Sequence, residues 1–226
     1  MQIANLNNKF DKLQKKYGDI ALDCICGAGC ILKPDICFVF MNPTARNVSA
    51  DKNWTGLKAP WIGTKNVWKL FMSTNLLSND LYEKTKRMKL SDWDYDFAQN
   101  LYKEISSNKI YITNLSKATQ KDARHLSDDV FKEYLRLMKE ELSILNPKIV
   151  ISFGNQVSSI LLNKNINVSK YRKQMVSLYV DRKEYKIYPV YYPVGQGMRN
   201  INKAIEDIKW IQYKNNISGL SVDSRA

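Results

Sequence analysis

The sequence lacks any apolar run near the roughly 18 residues that a membrane-spanning helix requires. Its opening residues, MQIANLNNKF, lack the apolar core of a secretory leader. These two absences argue against insertion and export, and the expectation is a cytoplasmic protein. Histidine occurs once, at His125, and cysteine four times, at Cys24, Cys26, Cys30 and Cys37, all within CICGAGCILKPDIC. A zinc or iron–sulfur centre needs converging ligands, usually two CxxC-like pairs or one pair with histidines. Here no second pair follows, the histidine is distant, and Cys37 falls within a predicted strand. The cysteines read as free thiols in a reducing compartment, and neither metal nor cofactor is expected. Internal repeats and low-complexity segments are absent too. Acidic residues are few, 22 Asp+Glu against 35 Lys+Arg, a formal net charge of +13. Biased genome composition produces Lys- and Asn-rich chains of this kind. A basic surface nonetheless attracts polyanions, nucleic acid before an anionic membrane.

What is present fits one domain. At 226 residues, with 44% hydrophobic and 25% charged side chains, the chain can bury a proper core. The domain is expected over residues 1–216, with 217–226 a loose tail. Residues 3–17 read as an amphipathic helix. ICFVFM (36–41) reads as a strand buried on both faces, and KIYITNL (109–115) and KIVISFG (148–154) as two more. The stretch QMVSLYVDRKEYKIYPVYYP reads as a hairpin around Asp181-Arg182 whose second arm is the fourth core strand. Helices are expected in 63–77, 94–106, 127–145, after Gly154, and over 200–215. Ser127 is a natural N-cap for the third of these, with acids in its first turn and Asn146-Pro147 as its stop. Strands alternating with helices predict a three-layer α/β/α domain around a central four-stranded, mostly parallel sheet. Ligands of such sheets bind beyond the carboxyl ends of the strands. Asn42, Asn114, Gly154 and YYPVGQGMRN (191–200) all follow strands, so they gather along one edge.

Those residues resemble the uracil-DNA glycosylase superfamily over roughly residues 27–211. FMNPT (40–44) is similar to the first active-site motif of the mismatch-specific and single-strand-selective branches, Gly-hydrophobic-Asn-Pro-Gly. APWIGTKNVWKLF (59–71) resembles the segment that floors the base pocket. YITNLSK (111–117) resembles the strand ending in the uracil-reading asparagine, and LNPKIVISFGNQVSSILL (145–162) the Pro-Lys-hydrophobic-Gly strand and helix. YYPVGQGMRN stands where a His-Pro-Ser motif and its loop belong. The chain departs from the pattern in four places: Phe40 and Thr44 replace the motif glycines, Trp61 replaces a Phe, and Tyr192-Pro193-Val194 replaces His-Pro-Ser. The iron–sulfur branch carries Glu-Ala-Pro and four cluster cysteines; this chain has Met-Asn-Pro and no distal cysteines, so no cluster is carried over.

The resemblance implies a monomeric DNA glycosylase of base excision repair, acting on uracil or a related damaged base flipped into a pocket. Asn42 would orient water at the sugar carbon, or else serve only as an Asx-turn residue. A neutral amide cannot take a full proton, so it suits a dissociative transition state. Asp51 in the next loop is a further candidate, though a solvated loop carboxylate is the plainer reading. Asn114 would accept from uracil N3–H and donate to O4, where cytosine presents the opposite pattern. Its alternative is a loop cap. Trp61 would stack on the base, or pack in the core with Trp68, and Met41 would line the pocket. Tyr192 would donate to uracil O2 as a neutral group. Gly195 and Gly197 would let the backbone approach DNA, Met198 would wedge the vacated stack, and Arg199 would hold a phosphate. His125 is read as a surface residue. Two other functions remain open: a binding module of the same fold that has lost catalysis, and an enzyme of free nucleosides or nucleotides.

Overall fold

The computed structural model describes residues 3–123 and 126–219. In chain order its helices are α1 (Ile3–Tyr17), α2 (Asn66–Ser73), α3 (Asn79–Arg87), α4 (Tyr95–Ser107), α5 (Asp128–Leu145), α6 (Asn155–Leu162), α7 (Val168–Tyr171) and α8 (Ile201–Lys214). The strands are β1 (Ala28–Gly29), β2 (Ile36–Phe40), β3 (Ile110–Asn114), β4 (Ile149–Phe153), β5 (Val176–Val180) and β6 (Lys183–Val190). They form one mixed sheet in the order β1-β3-β2-β4-β6-β5.

The four central strands, β3, β2, β4 and β6, run parallel, as the alternation of strands and helices predicts. Every residue of β2, β3 and β4 is buried, because helices cover both faces. The sheet gains two antiparallel edge strands, β1 against β3 and β5 against β6. β5 is the first arm of the expected hairpin, and Asp181 and Arg182 both take positive φ at its turn. β1 has no counterpart in the sequence reading; two residues carry no period, and their pairing is decided by β3.

One face of the sheet packs Phe38, Ile112 and Ile151 against α2, α4 and α8. The other packs Cys37, Val39 and Val150 against α5 and α6. α1 lies outside α5, with Leu6 and Phe10 against Tyr134 and Leu137. α5 begins after Ser127 with Asp128 and Asp129 in its first turn, and ends on Asn146 at φ 52°. Ser127 takes the extended N-cap backbone but makes no side-chain capping bond. Ile217, just past α8, is buried against the core; residues 220–226, most of the expected tail, lie outside the described residues. No described helix is long and apolar enough to cross a membrane.

Candidate active site

The four parallel strands end level. Phe40 pairs with Asn114 across β2 and β3, and Phe153 with Val190 across β4 and β6. Adjacent strands lie about 4.8 Å apart, so Asn114 sits beside Phe40 on the same face. Beyond the strand ends the two loops stay laced together. Leu115 N–H donates to Phe40 O (2.8 Å), Ser116 N–H to Met41 O (3.0 Å), Gln120 N–H to Pro43 O (3.1 Å) and Ala45 N–H to Gln120 O (2.8 Å). The segments carrying Asn42 and Asn114 therefore form one ribbon.

Aromatic side chains close over this edge. Phe40 is fully buried, and its ring centroid lies 4.4 Å from that of Phe153, 4.8 Å from Trp61 and 6.2 Å from Tyr192. Trp61 and Tyr192, far from each other in sequence, thus both pack on Phe40. Gly154 helps at the end of β4, where an added Cβ would stand 3.4 Å from that of Tyr192. Trp68 is a separate residue of the core, packed on Phe71 and Tyr102.

Trp61 adopts φ 67°, the left-handed region that a bulky side chain ordinarily avoids. Its neighbours hold it there. Its carbonyl accepts from Thr64 N–H (3.1 Å) and Thr64 Oγ1 (2.8 Å), and the Pro60 carbonyl accepts from Tyr102 (2.6 Å). The Trp61 indole Nε1 is buried with no hydrogen-bond partner. The half-buried Tyr192 has its hydroxyl pKa pushed above the ordinary phenol value by desolvation, so it remains a neutral donor at any physiological pH.

The two asparagines differ in what they leave open. Asn114 is 2% exposed, and its Oδ1 is buried with no partner. Asn42 is 8% exposed and spends its Nδ2 on the Pro43 carbonyl, at 3.1 Å. The Asx-turn bond, from Thr44 N–H to Asn42 Oδ1, is not formed, and no described residue donates to that oxygen. The structural asparagine of this loop is Asn47, which the sequence reading missed. Its Oδ1 accepts from Ser49 N–H (3.1 Å) and Ser49 Oγ (2.8 Å), and its Nδ2 donates to Ala59 O (2.7 Å). An Asn two residues before a Ser was the available signal.

The other candidates are placed as follows. Met41 is half-buried at the end of β2. Gly195, Gly197, Met198 and Arg199 lie on one 3-10 turn, Gly195–Asn200, which leads into α8. Gly195 takes φ 58°. A Cβ on Gly197 would meet the Tyr192 carbonyl at 2.0 Å, so that glycine serves the packing of the turn on Tyr192. Met198 packs partly buried against the core, and Arg199 is exposed. Asp51 is exposed and turns its Oδ1 onto Asn53 N–H at 2.7 Å. His125 lies outside the described residues. All four cysteines are free; Cys24 and Cys37 are buried, and Cys24 Sγ lies 3.9 Å from Cys26 Sγ. Among the described residues no three His, Cys, Asp or Glu side chains are placed to hold a metal ion.

A buried polar network behind β3 also escaped the sequence reading. Lys117 and Glu141 form an ion pair at 2.6 Å with 0% and 1% exposure. Glu141 occupies the buried stripe of α5 between Met138 and Leu142. A carboxylate on an apolar stripe is a signal that periodicity does offer.

The family model of the uracil DNA glycosylase superfamily matches residues 26–209. No curated protein matches the chain. The match spans most of the chain, which therefore belongs to the uracil DNA glycosylase superfamily, in keeping with its three-layer α/β/α fold.

Proposed function

We propose that this member of the superfamily is a DNA glycosylase that releases uracil, or a closely related deaminated base, from DNA. The observation that carries the reading is the buried, unpartnered Oδ1 of Asn114. An unmet acceptor inside a protein costs about 1–3 kcal/mol. A ligand with an N–H at that point, as uracil has at N3, would recover the loss. Asn114 stands at the carboxyl end of β3, where ligands of parallel sheets bind.

The remaining roles follow from position. The base leaves the stack and enters beside Asn114. Trp61 supplies an aromatic face, and stacking of a base on such a face is worth about 1–3 kcal/mol. Asn42, with its Nδ2 occupied, offers Oδ1 to a water molecule aimed at the sugar carbon. That water attacks as the glycosidic bond breaks, its proton passes to solvent, and the base departs as an anion. Tyr192 donates a hydrogen bond to a base oxygen, and the neutral phenol stabilises the anion less than a cationic group would. Met198 and Arg199, on the turn after Tyr192, face the duplex, and Met41 lines the entrance. The excess of 35 Lys+Arg over 22 Asp+Glu supplies affinity for phosphates. The protein acts alone as a monomer in a reducing cytoplasm, where its four free cysteines stay reduced.

One observation favours a second reading, a DNA-binding module without catalysis. Phe40 fills the space that a glycine leaves open in the first motif, and it is in ring contact with Trp61, Phe153 and Tyr192. The test is direct. Labelled oligonucleotides carrying one uracil, hypoxanthine or thymine are incubated with the protein and then treated with alkali. Strand cleavage at uracil supports the glycosylase. Salt-dependent binding with no cleavage at any base supports the module.

A further inference from the structure

Behind Asn114 lies a charge pair that no step of the proposed hydrolysis uses. Lys117 and Glu141 are sealed from solvent at 2.6 Å. Two charges taken out of water carry a desolvation cost that apolar side chains of the same volume would not, so stability alone is a poor account of them. Their position is a better one. Lys117 Nζ donates to the main-chain carbonyl of Asn114 as well as to Glu141 Oε2. Its ammonium also lies 4.7 Å from the ring centroid of Phe10 on α1. Glu141 Oε1 accepts from Tyr111 (2.8 Å) and Thr113 (3.1 Å), the β3 residues that alternate with Ile112 and Asn114. The peptide unit that follows Asn114 is therefore held at both ends. Its C=O is bound by Lys117, and its N–H, that of Leu115, is bound by Phe40 O at 2.8 Å. Holding that plane fixes ψ of Asn114 and the direction in which its side chain leaves the strand.

We infer that the Lys117–Glu141 pair is a positioning device: it holds Asn114 at the angle from which its unpaired Oδ1 meets the base. Removing both charges of the clamp together degrades base reading before it degrades the fold. The inference rests on the reading of Asn114 as the base-binding residue. A positioning error of about 1 Å costs up to a hundredfold in rate.

Two variants separate position from stability. Lys117→Met/Glu141→Gln removes both charges, keeps the volume and leaves an acceptor for Tyr111 and Thr113. Glu141→Gln alone disturbs the ion pair yet leaves Lys117 to hold the Asn114 carbonyl. Each is measured for melting temperature, for single-turnover base release, and for binding to single-strand oligonucleotides that differ only in one uracil or cytosine. The expected result is a folded double variant whose release falls about tenfold or more and whose preference for uracil in binding is lost, while Glu141→Gln keeps the preference. A double variant with wild-type rate and preference overturns the inference and leaves the glycosylase reading standing. A double variant that does not fold makes the pair a requirement of the fold, and overturns it too. If wild type prefers uracil in binding but releases none, and the double variant loses the preference, positioning holds and hydrolysis fails. If wild type shows neither release nor preference, both readings fall.

Discussion

The two sides of β3 treat their polar groups in opposite ways. On the side facing α5, Tyr111, Thr113, Lys117 and Glu141 pair with one another, although all are buried. On the side facing α2 and α8, two buried polar atoms near the strand end, Asn114 Oδ1 and Trp61 Nε1, have no partner. Asn114 Oδ1 is one of six buried side-chain polar atoms without a partner among the described residues, and it stands at the carboxyl end of a parallel strand, where ligands bind. Folded proteins tolerate such costs where a site needs them. The closed side is paired throughout, and the open side is the one we propose as the binding face. Trp61 adds to the contrast, because a bulky aromatic residue is held at φ 67° on the open side.

The largest expected effect lies on the closed side. Lys117→Met leaves Glu141 buried without its counter-charge, and the loss should be about 3–5 kcal/mol of stability. Urea titration followed by circular dichroism measures it. A loss under about 1 kcal/mol, within the range of exposed pairs, would show that the pair is not closed to water. On the open side the next effect is kinetic. Asn42→Ala should lower single-turnover base release by about 10²–10³-fold, the usual cost of one group that acts mainly in the transition state. Affinity for DNA should hardly change. An unchanged rate would make Asn42 a loop residue, with Asp51 the next to test.

The third effect reverses the usual sign. Asn114→Leu removes an acceptor that has no partner, so stability should rise by about 1 kcal/mol while discrimination between uracil and cytosine disappears. A fall in stability would mean that Oδ1 is satisfied in solution. The smallest effect is on pH dependence. Burial raises the pKa of the Cys37 thiol and of the Tyr102 and Tyr111 hydroxyls above their ordinary values. As pH rises past about 8.5 and then 10, the ordinary thiol and phenol values, the unfolded chain releases these protons before the folded one. Stability is therefore complete below that window and declines above it. A urea midpoint that is the same at pH 8 and pH 10.5 would contradict the burial of these groups.

Much of this was legible in the sequence, for identifiable reasons. α1 and α5 carry long apolar stripes, and α5 has acids at its start and Asn146-Pro147 at its stop. β2 is an uninterrupted apolar run, and β3 and β4 are mostly apolar, broken by Thr113 and Ser152 near their carboxyl ends. Those polar ends marked Asn42, Asn114 and Tyr192 as neighbours. The pairing of Phe40 with Asn114, and its ring contact with Tyr192, put these strand ends together. α3 was not legible, since only Leu81 and Thr85 of its nine residues are buried and its stripe is too thin. Neither was the pairing of Lys117 with Glu141: the stripe of α5 marks Glu141 as buried, but its partner is far away in sequence and only the fold brings the two together. The open acceptor on Asn114 belongs to the same class: a sequence shows the amide, and only the packed strand shows what it lacks.

The central claim is that Asn114 Oδ1 accepts from N3–H of the base, and changing that one atom of the substrate tests it most directly. Single-turnover release is measured from matched oligonucleotides carrying uracil or N3-methyluracil, with wild type and with Asn114→Ala. Wild type should release uracil and discriminate strongly against the methylated base, and Asn114→Ala should lose most of that discrimination. Equal release of the two bases by wild type, or the same discrimination in both proteins, would contradict the claim.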